Sequence, residues 1–210
     1  FKMNHFQPPQ TLNLQGNLFH FQTPAVMGIL NITPDSFYEN SRFQSEKHIL
    51  DRAEKMLQEG ASFIDIGGYS SRPGAADISA EEELKRSIPA IKAIIRVFPH
   101  AIISIDTFRS QVAQAAVQEG AHIINDISGG ELDHAMFSTV AALQVPYVLM
   151  HMKGTPQTMN QHTTYENLLK DITGYFQSKI HQLVQLGVKD IIIDPGFGFA
   201  KTIPQNFEIL

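Results

Sequence analysis

Six short, almost continuously apolar segments, separated by longer segments with helical periodicity, run through the sequence. A strand with one face in water alternates apolar and polar residues, whereas a continuously apolar strand is buried on both faces. Regular alternation of such strands with helices predicts a parallel sheet with right-handed crossovers. We expect the strands at 25–31, 63–67, 102–106, 123–127, 147–150 and 191–194.

Helical patterns fill the intervals between these strands. Three of them end at a glycine just before the next strand, where glycine tolerates the left-handed conformation that closes a helix. Ser79 followed by Glu82 predicts a capping box at the start of one helix. We expect the helices at 45–59, 79–97, 108–119, 134–143 and 165–186.

Two α/β folds accommodate six consecutive βα units, an open doubly wound sheet and a closed (β/α)8 TIM barrel. The count favours the barrel, which usually takes about 250 residues. With 210 residues here, we expect two C-terminal βα units to be missing. We predict that 1–210 is a single domain. Within it, 1–24 holds a β-hairpin around Gln15-Gly16-Asn17 that covers the barrel bottom.

Composition argues against several classes of function. The net charge is −5 with 16 Lys and Arg residues, so no basic field for nucleic acid is expected. No apolar segment reaches the ~18 residues of a membrane span, and the first residues lack a signal-peptide pattern. Cysteine is absent, which excludes thiol chemistry and fits a reducing compartment. We therefore predict a cytoplasmic protein whose partner is a small molecule.

Polar side chains stand at the end of almost every predicted strand, where barrels of this type bind ligands. Local explanations exist, since Asp106 with Thr107 could cap a helix, and Asn125, Asp126 and Asp194 could serve turns. Independent caps would not place an acid or amide at nearly every strand end. We predict a site at this end, formed by Asn31, Asp65, Asp106, Asn125, Asp126, His151 and Asp194.

His151 is interpreted as a buried wall residue rather than a metal ligand, because the sequence has no close histidine cluster. The loop that begins Asn31-Ile-Thr-Pro-Asp35 is rich in oxygen ligands. Asn31 and Asp35 could therefore hold a hard cation such as Mg²⁺.

A second loop, Gly67-Gly-Tyr-Ser-Ser-Arg72-Pro-Gly, combines hydroxyls with an arginine. A guanidinium binds two oxygens of a phosphate at once, so this loop is a candidate phosphate site, with a solvated surface loop as the alternative. The segment Gly196-Phe-Gly-Phe-Ala-Lys201 is neither a P-loop nor a dinucleotide fingerprint. Its aromatic residues suit the wall of a flat ring, and Lys201 is interpreted as solvated.

Together these residues predict a site for a planar, hydrogen-bonding heterocycle. Asp194 can accept two N–H groups from an amino-pyrimidine edge, and Asn125 offers a donor and an acceptor to another edge. An anionic tail would extend towards Ser71, Arg72 and a magnesium ion.

In this order, the motifs closely resemble those of the dihydropteroate synthase family. The resemblance runs from about Leu12 to Leu210, through Asn31–Phe37, Gly60–Gly68, Ser71–Gly74, Ser104–Thr107, Ile124–Ile127, Leu149–Met152 and Asp194–Phe199. It implies a TIM barrel acting in folate synthesis. Such enzymes join 6-hydroxymethyl-7,8-dihydropterin pyrophosphate to p-aminobenzoate and release pyrophosphate. The resemblance also implies a homodimer and competition by sulfonamides for the aminobenzoate pocket.

The resemblance further implies roles for individual residues. The pterin would be held by Asp106, Asn125 and Asp194. Its pocket would be lined by Ile127, Met150 and Phe199. The aminobenzoate pocket would be built by Phe37, Arg72 and Pro73. Magnesium would be bound with the pyrophosphate by Asn31 and Asp35, and Ser71 would contact the pyrophosphate. Catalysis would depend on Asp106, Asn31 and Arg72.

The sequence departs from the family pattern at two places. Tyr69-Ser70-Ser71-Arg72 stands where the family often has Glu-Ser-Thr-Arg. A seventh-strand lysine and an eighth-strand Arg-x-His have no counterpart. One alternative is a methyltetrahydrofolate-type pterin-binding methyltransferase barrel, which should lack the two loops at 31–37 and 71–74. Another alternative is a non-catalytic pterin-binding subunit.

Overall fold

The computed structural model describes residues 11–32, 42–70 and 77–210. An antiparallel hairpin is formed by β1 (Thr11–Leu14) and β2 (Asn17–His20). A parallel sheet follows, whose strands are β3 (Met27–Asn31), β4 (Phe63–Gly67), β5 (Ile102–Asp106), β6 (Ile123–Asp126), β7 (Tyr147–Met150) and β8 (Ile191–Asp194). Each strand pairs with the next one along the chain, without reversal. That order confirms the barrel topology, because a doubly wound sheet reverses its strand order.

Helices connect these strands on the outside of the sheet. They are α1 (Arg42–Gln58), α2 (Ala80–Val97), α3 (Ser110–Gln118), α4 (Met136–Leu143), α5 (Leu168–Gln185) and α6 (Ile203–Ile209). The predicted strands agree with the structure within two residues and the predicted helices within three. In the part of the chain that the structure describes, none of the helices has both the length and the hydrophobicity of a bilayer span.

The predicted capping box at α2 is only half formed. Ser79 accepts a hydrogen bond from the backbone N–H of Glu82 at 3.2 Å. The Glu82 side chain does not return the bond; it pairs with Arg86 one turn later, at 2.8 Å. An arginine at i+4 therefore competes with the cap for the glutamate.

Alternation along the strands separates an outer core from the barrel interior. Outward residues pack against the helices as one large apolar cluster, which includes Leu30, Ile64, Ile66, Ile103, Ile105, Ile124, Tyr147 and Leu149. The next residue in each strand faces inward. The continuous apolar runs of the sequence arise because both faces are covered.

The hairpin covers the bottom of the barrel, as predicted. It turns at Gln15 and Gly16, whose φ angles of 52° and 96° suit the right-handed twist of a two-residue hairpin loop. Leu12 and Leu14 are buried against inward residues near the amino ends of the strands, namely Phe63, Ile123 and Val148. We therefore expect a ligand at the opposite end of the sheet, which is formed by the carboxyl ends of the strands.

A candidate active site at the carboxyl ends of the strands

One row of the sheet brings three of the predicted site residues together. Asn31 is in register with Gly67, Gly67 with Asp106, and Asp106 with Asn125. A Cβ atom at Gly67 would lie 3.2 Å from Asn31 Oδ1 and 3.4 Å from Asp106 Oδ2. Glycine at this position therefore leaves the space into which the Asn31 and Asp106 side chains converge.

Asp65 lies one inward position below this row, two residues before Gly67 on β4. The Asn125 amide Nδ2 donates to Asp65 Oδ2 at 3.0 Å, and Asp65 is buried. Burial raises the pKa of Asp65, whereas Ser104 and Asn125 lower it. Ser104 lies beside Asp65 on β5 without making a hydrogen bond of normal geometry with it.

Asp106 is the most strongly perturbed carboxylate of the row. The residue is half-buried as a whole, but its carboxyl is surrounded by protein, and burial raises its pKa well above the usual range. Negative charges add to this shift, from Asp65, Glu83 and Asp126. Such a concentration of carboxylates disfavours another negative charge and favours a ligand that carries positive charge.

Asp126, the neighbour of Asn125, faces outward and has a structural role. Its carboxylate accepts from Ser128 N and Oγ, both at 2.7 Å, from Gly130 N at 2.9 Å and from Tyr147 OH at 2.7 Å. The prediction of Asp126 as a site residue is therefore wrong. Adjacent strand residues face opposite sides, so Asn125 and Asp126 cannot serve the same pocket.

An apolar cluster lies at the same end of the barrel interior. It contains three of the residues named from the resemblance, Ile127, Met150 and Phe199. They pack with Met152, Met159, Ala200 and Phe108. The arrangement gives the polar row an apolar wall, which is what a flat heterocycle requires.

Asp194 ends β8, in register with Met150. Its Oδ1 accepts from the backbone N–H of Gly196 at 2.8 Å, so one oxygen closes the following turn. No hydrogen bond joins Asp194 to Asp106 or Asn125. The turn explanation for Asp194 is therefore correct for one oxygen. Because side chains alternate along β8, the Asp194 side chain faces the barrel interior, on the same side as Met150.

Lys201 is buried, which contradicts its interpretation as a solvated residue. It is 7% exposed. Its Nζ lies 3.1 Å from His151 Nδ1 and donates to the carbonyl oxygens of His151, Gly196 and Phe199 at 3.0–3.2 Å. Burial lowers the pKa of Lys201 to about 8 and that of His151 to about 4. His151 is a buried, hydrogen-bonded residue, as predicted.

Five of the predicted site residues lie outside the described part of the chain, namely Asp35, Phe37, Ser71, Arg72 and Pro73. Both flanks of 71–76 contact Arg109, which sequence reasoning did not identify. Its guanidinium lies 5.3 Å from the centre of the Tyr69 ring and donates to the carbonyl of Ile78 at 2.7 Å. It also pairs with the fully buried Glu83. In the sequence, the signal for Arg109 is a positive charge close to the end of a predicted strand.

Comparison with known proteins identifies the family. Residues 27–210 match the family of pterin binding enzymes. Over 210 residues the chain is 43% identical to the dihydropteroate synthase of Synechocystis, a match that covers 99% of the chain and 72% of that protein. The chain belongs to the dihydropteroate synthase family. A mitochondrial folate synthesis bifunctional protein of pea is 48% identical over 88% of the chain. The chain spans only 37% of the length of that relative.

A solved structure of this family has the same fold. The dihydropteroate synthase of Yersinia pestis, crystallised as a sulfonamide drug complex, superposes with a TM-score of 0.84 at 38% identity. The match covers 95% of this chain and 72% of that one. The likeness confirms the α/β TIM-barrel class inferred from the strand order.

The family resemblance implies a magnesium ion, and Asn31 suits one of its ligands. Asn31 is exposed at the end of β3, and its amide oxygen is a hard donor of the kind that Mg²⁺ binds. Within residues 11–32, 42–70 and 77–210, no three His, Asp or Glu side chains form a cluster that would hold a metal. Further ligands would have to come from Asp35 and from substrate oxygens.

Proposed function

We propose that the protein carrying this chain is a dihydropteroate synthase. It would join 6-hydroxymethyl-7,8-dihydropterin pyrophosphate to p-aminobenzoate and release pyrophosphate. The observation that supports this most is the meeting of Asp106 and Asn125 in register at the barrel end that also holds an apolar cluster. A flat ring with several N–H donors suits that combination of acceptors and apolar wall.

The chemistry follows from the charge distribution of this site. Cleavage of the carbon–oxygen bond at the pterin methylene develops positive charge on the pterin. Burial and, after it, neighbouring carboxylates raise the pKa of Asp106, so a cationic ring beside it would offset both effects. Fixed charges that favour the transition state more than the ground state accelerate the reaction. No covalent enzyme nucleophile is needed.

The leaving pyrophosphate carries the opposite charge and requires cationic partners. We place it near Asn31, Ser71 and Arg72, of which the last two lie outside the described residues. Bound Mg²⁺, held by Asn31 and Asp35, would neutralise part of its charge. The aminobenzoate pocket is proposed at Phe37, Arg72 and Pro73. Sulfonamides would compete there, which is supported by the sulfonamide complex of the Yersinia relative.

The remaining proposals concern the state of the protein. A homodimer is proposed from the family resemblance alone. A cytoplasmic location is proposed from the cysteine-free composition, which fits a reducing compartment. A single domain over 1–210 likewise stays a prediction.

Pyrophosphate release by the purified full-length protein tests the function. Release should require p-aminobenzoate and Mg²⁺ together with the pterin pyrophosphate, and the organic product should be 7,8-dihydropteroate. Calorimetry with 6-hydroxymethylpterin separates binding from turnover. Pterin binding without turnover would support the non-catalytic subunit, whereas absence of pterin binding would refute both. Transfer of a methyl group from methyltetrahydrofolate would support the methyltransferase instead.

A further inference from the structure

Asp65 and Asn125 form a hydrogen-bonded pair inside the barrel, just below the row that carries Asp106. Asn125 Nδ2 donates to Asp65 Oδ2 at 3.0 Å, and Asp65 is only 4% exposed. An ionised carboxylate can only accept hydrogen bonds. While Asp65 is ionised, the amide nitrogen of Asn125 must therefore point at Asp65, and the amide oxygen must point elsewhere.

We propose that Asp65 is a positioning residue that locks the amide of Asn125 in one orientation and thereby makes the site specific for pterins. The inference rests on the proposed function and adds the origin of its ligand selectivity. An asparagine amide has nearly the same shape after a half-turn that exchanges oxygen and nitrogen. Beside Asp65, the half-turn would bring an amide oxygen against a carboxylate oxygen and leave both unpaired.

A locked amide offers a ligand its oxygen and its second N–H in one fixed order. In a pterin, the 2-amino group is a donor and the neighbouring ring nitrogen N1 is an acceptor. The amide oxygen of Asn125 can accept from the amino group while its second N–H donates to N1. In a lumazine, an oxo group replaces the 2-amino group and N1 carries a hydrogen. The donor and acceptor are then reversed along this edge. A locked Asn125 should therefore bind the pterin and reject the lumazine, because the reversed edge leaves buried polar groups unpaired.

The contacts of Asp65 differ from those of Asp126. Asp126, the structural carboxylate on the opposite face, accepts from four donors. Asp65 Oδ1, by contrast, is buried without a hydrogen bond of normal geometry among the described residues, and the same holds for Ser104 Oγ beside it. Asp65 therefore gives the fold fewer hydrogen bonds than Asp126 does, and Asn125 is its well-formed side-chain partner.

Substitution of Asp65 by asparagine tests this role. An amide at position 65 can accept or donate, so both amides can turn together and Asn125 is released. Calorimetry on the full-length protein should show wild type preferring 6-hydroxymethylpterin over 6-hydroxymethyllumazine by about 100-fold. In Asp65→Asn this preference should fall at least about tenfold. Ser104→Ala is the matched control. Ser104 is likewise buried beside Asp65 but makes no hydrogen bond to Asn125, so the preference should persist.

An unchanged preference in Asp65→Asn would overturn the inference, as would equal binding of both compounds by wild type. If wild type binds no pterin, the proposed function itself is refuted. If Asp65→Asn does not fold, the side-chain NH₂ signal of Asn125 in wild type decides by NMR. It should exchange slowly with solvent and shift as Asp65 titrates; fast exchange without such a shift would overturn the lock.

Discussion

Three aspartates near the same end of the sheet differ in the donors that they face. Asp126 accepts from four donors and Asp65 from Asn125. Asp106 has no hydrogen-bond donor among the described residues, although burial and neighbouring charges raise its pKa well above the usual range. Burial alone does not distinguish these three carboxylates, whereas the missing donors at Asp106 leave its oxygens for a ligand.

Asp106→Asn should abolish most turnover without loss of stability. The substitution keeps the shape but removes the charge that we propose stabilises a cationic pterin, so kcat should fall by about 10²–10³-fold. The free energy of unfolding should stay equal or rise by up to about 1 kcal/mol, because a penalised charge is removed. Steady-state kinetics and urea unfolding measure the two effects.

The raised pKa of Asp106 sets the sign of the pH dependence. Between 3.8 and its raised value, folded Asp106 binds a proton more tightly than the unfolded chain does. Its contribution to stability is therefore present below 3.8 and is lost as pH rises through the folded pKa. The proposed role requires ionised Asp106, so kcat/KM should fall as the pH decreases through the raised pKa of Asp106, at a pH above 3.8. Stability in Asp106→Asn that kept the wild-type slope in this window would contradict the assignment.

Asp126→Asn is the matched control for Asp106, since it changes the neighbouring strand at the same end. It disturbs an acceptor for four donors and should lower the free energy of unfolding by about 2–4 kcal/mol. Folded Asp126→Asn should retain turnover, because its side chain faces the helices. The two substitutions should therefore have opposite effects: Asp106→Asn should lower turnover, and Asp126→Asn should lower stability.

Lys201→Met should destabilise the fold, even though methionine has an unbranched side chain of similar length. Three carbonyl oxygens accept from the ammonium, those of His151, Gly196 and Phe199. Leaving them without a donor should lower the free energy of unfolding by about 3–5 kcal/mol. Denaturant unfolding measures the loss. Lys189→Met changes an exposed lysine and should stay within about 0.5 kcal/mol; equal effects of the two substitutions would contradict the role of Lys201.

At the scale of elements, Arg109 links three parts of the chain through one guanidinium. It follows β5, pairs with Glu83 of α2 and donates to Ile78 before that helix. It also lies over the rings of Tyr69 after β4 and of Phe108. The planar fork of arginine permits these contacts at once, whereas the single ammonium of lysine does not.

Arg109→Lys should therefore act as a disruptive substitution. Glu83 is fully buried and would lose its planar partner, so the free energy of unfolding should fall by about 2–4 kcal/mol. Arg96→Lys is the matched control, because Arg96 pairs with Glu46 at a site where the side chains are 64% and 47% exposed. That change should stay below about 0.5 kcal/mol. Thermal or urea unfolding that ranked the two substitutions equally would contradict this account.

The strands were predictable from sequence because both faces of each are covered by apolar residues. The same logic places Asp106 and Asn125 at one end of the barrel. Lys201 was not predictable, since its acceptors are main-chain carbonyls brought together only by folding. The outward orientation of Asp126 was predictable but was missed. Adjacent residues of a strand face opposite sides, so a neighbour of Asn125 must face away from the pocket. Asp65 was predicted at the strand ends, but its hydrogen bond with Asn125 was not.

At the scale of the whole molecule, the two ends of the barrel interior have different tasks. The bottom is filled by apolar side chains from the hairpin and the amino ends of the strands. The top combines an apolar cluster with the polar row of Asp106 and Asn125. Layers of inward side chains separate the two ends. Stability and ligand binding should therefore be separable by substitution at opposite ends.

Leu14→Ala tests this separation at the bottom. Leu14 is 4% exposed within the cluster that includes Phe63, and a cavity there should lower the free energy of unfolding by about 2–4 kcal/mol. Affinity for 6-hydroxymethylpterin, measured by calorimetry well below the melting temperature, should stay within about twofold of wild type, because the cavity lies at the far end. Leu18→Ala, on the same hairpin at a residue 63% exposed, should change neither quantity beyond about 0.5 kcal/mol. A parallel loss of pterin affinity in folded Leu14→Ala would show that the bottom of the barrel positions the site as well as stabilising the fold.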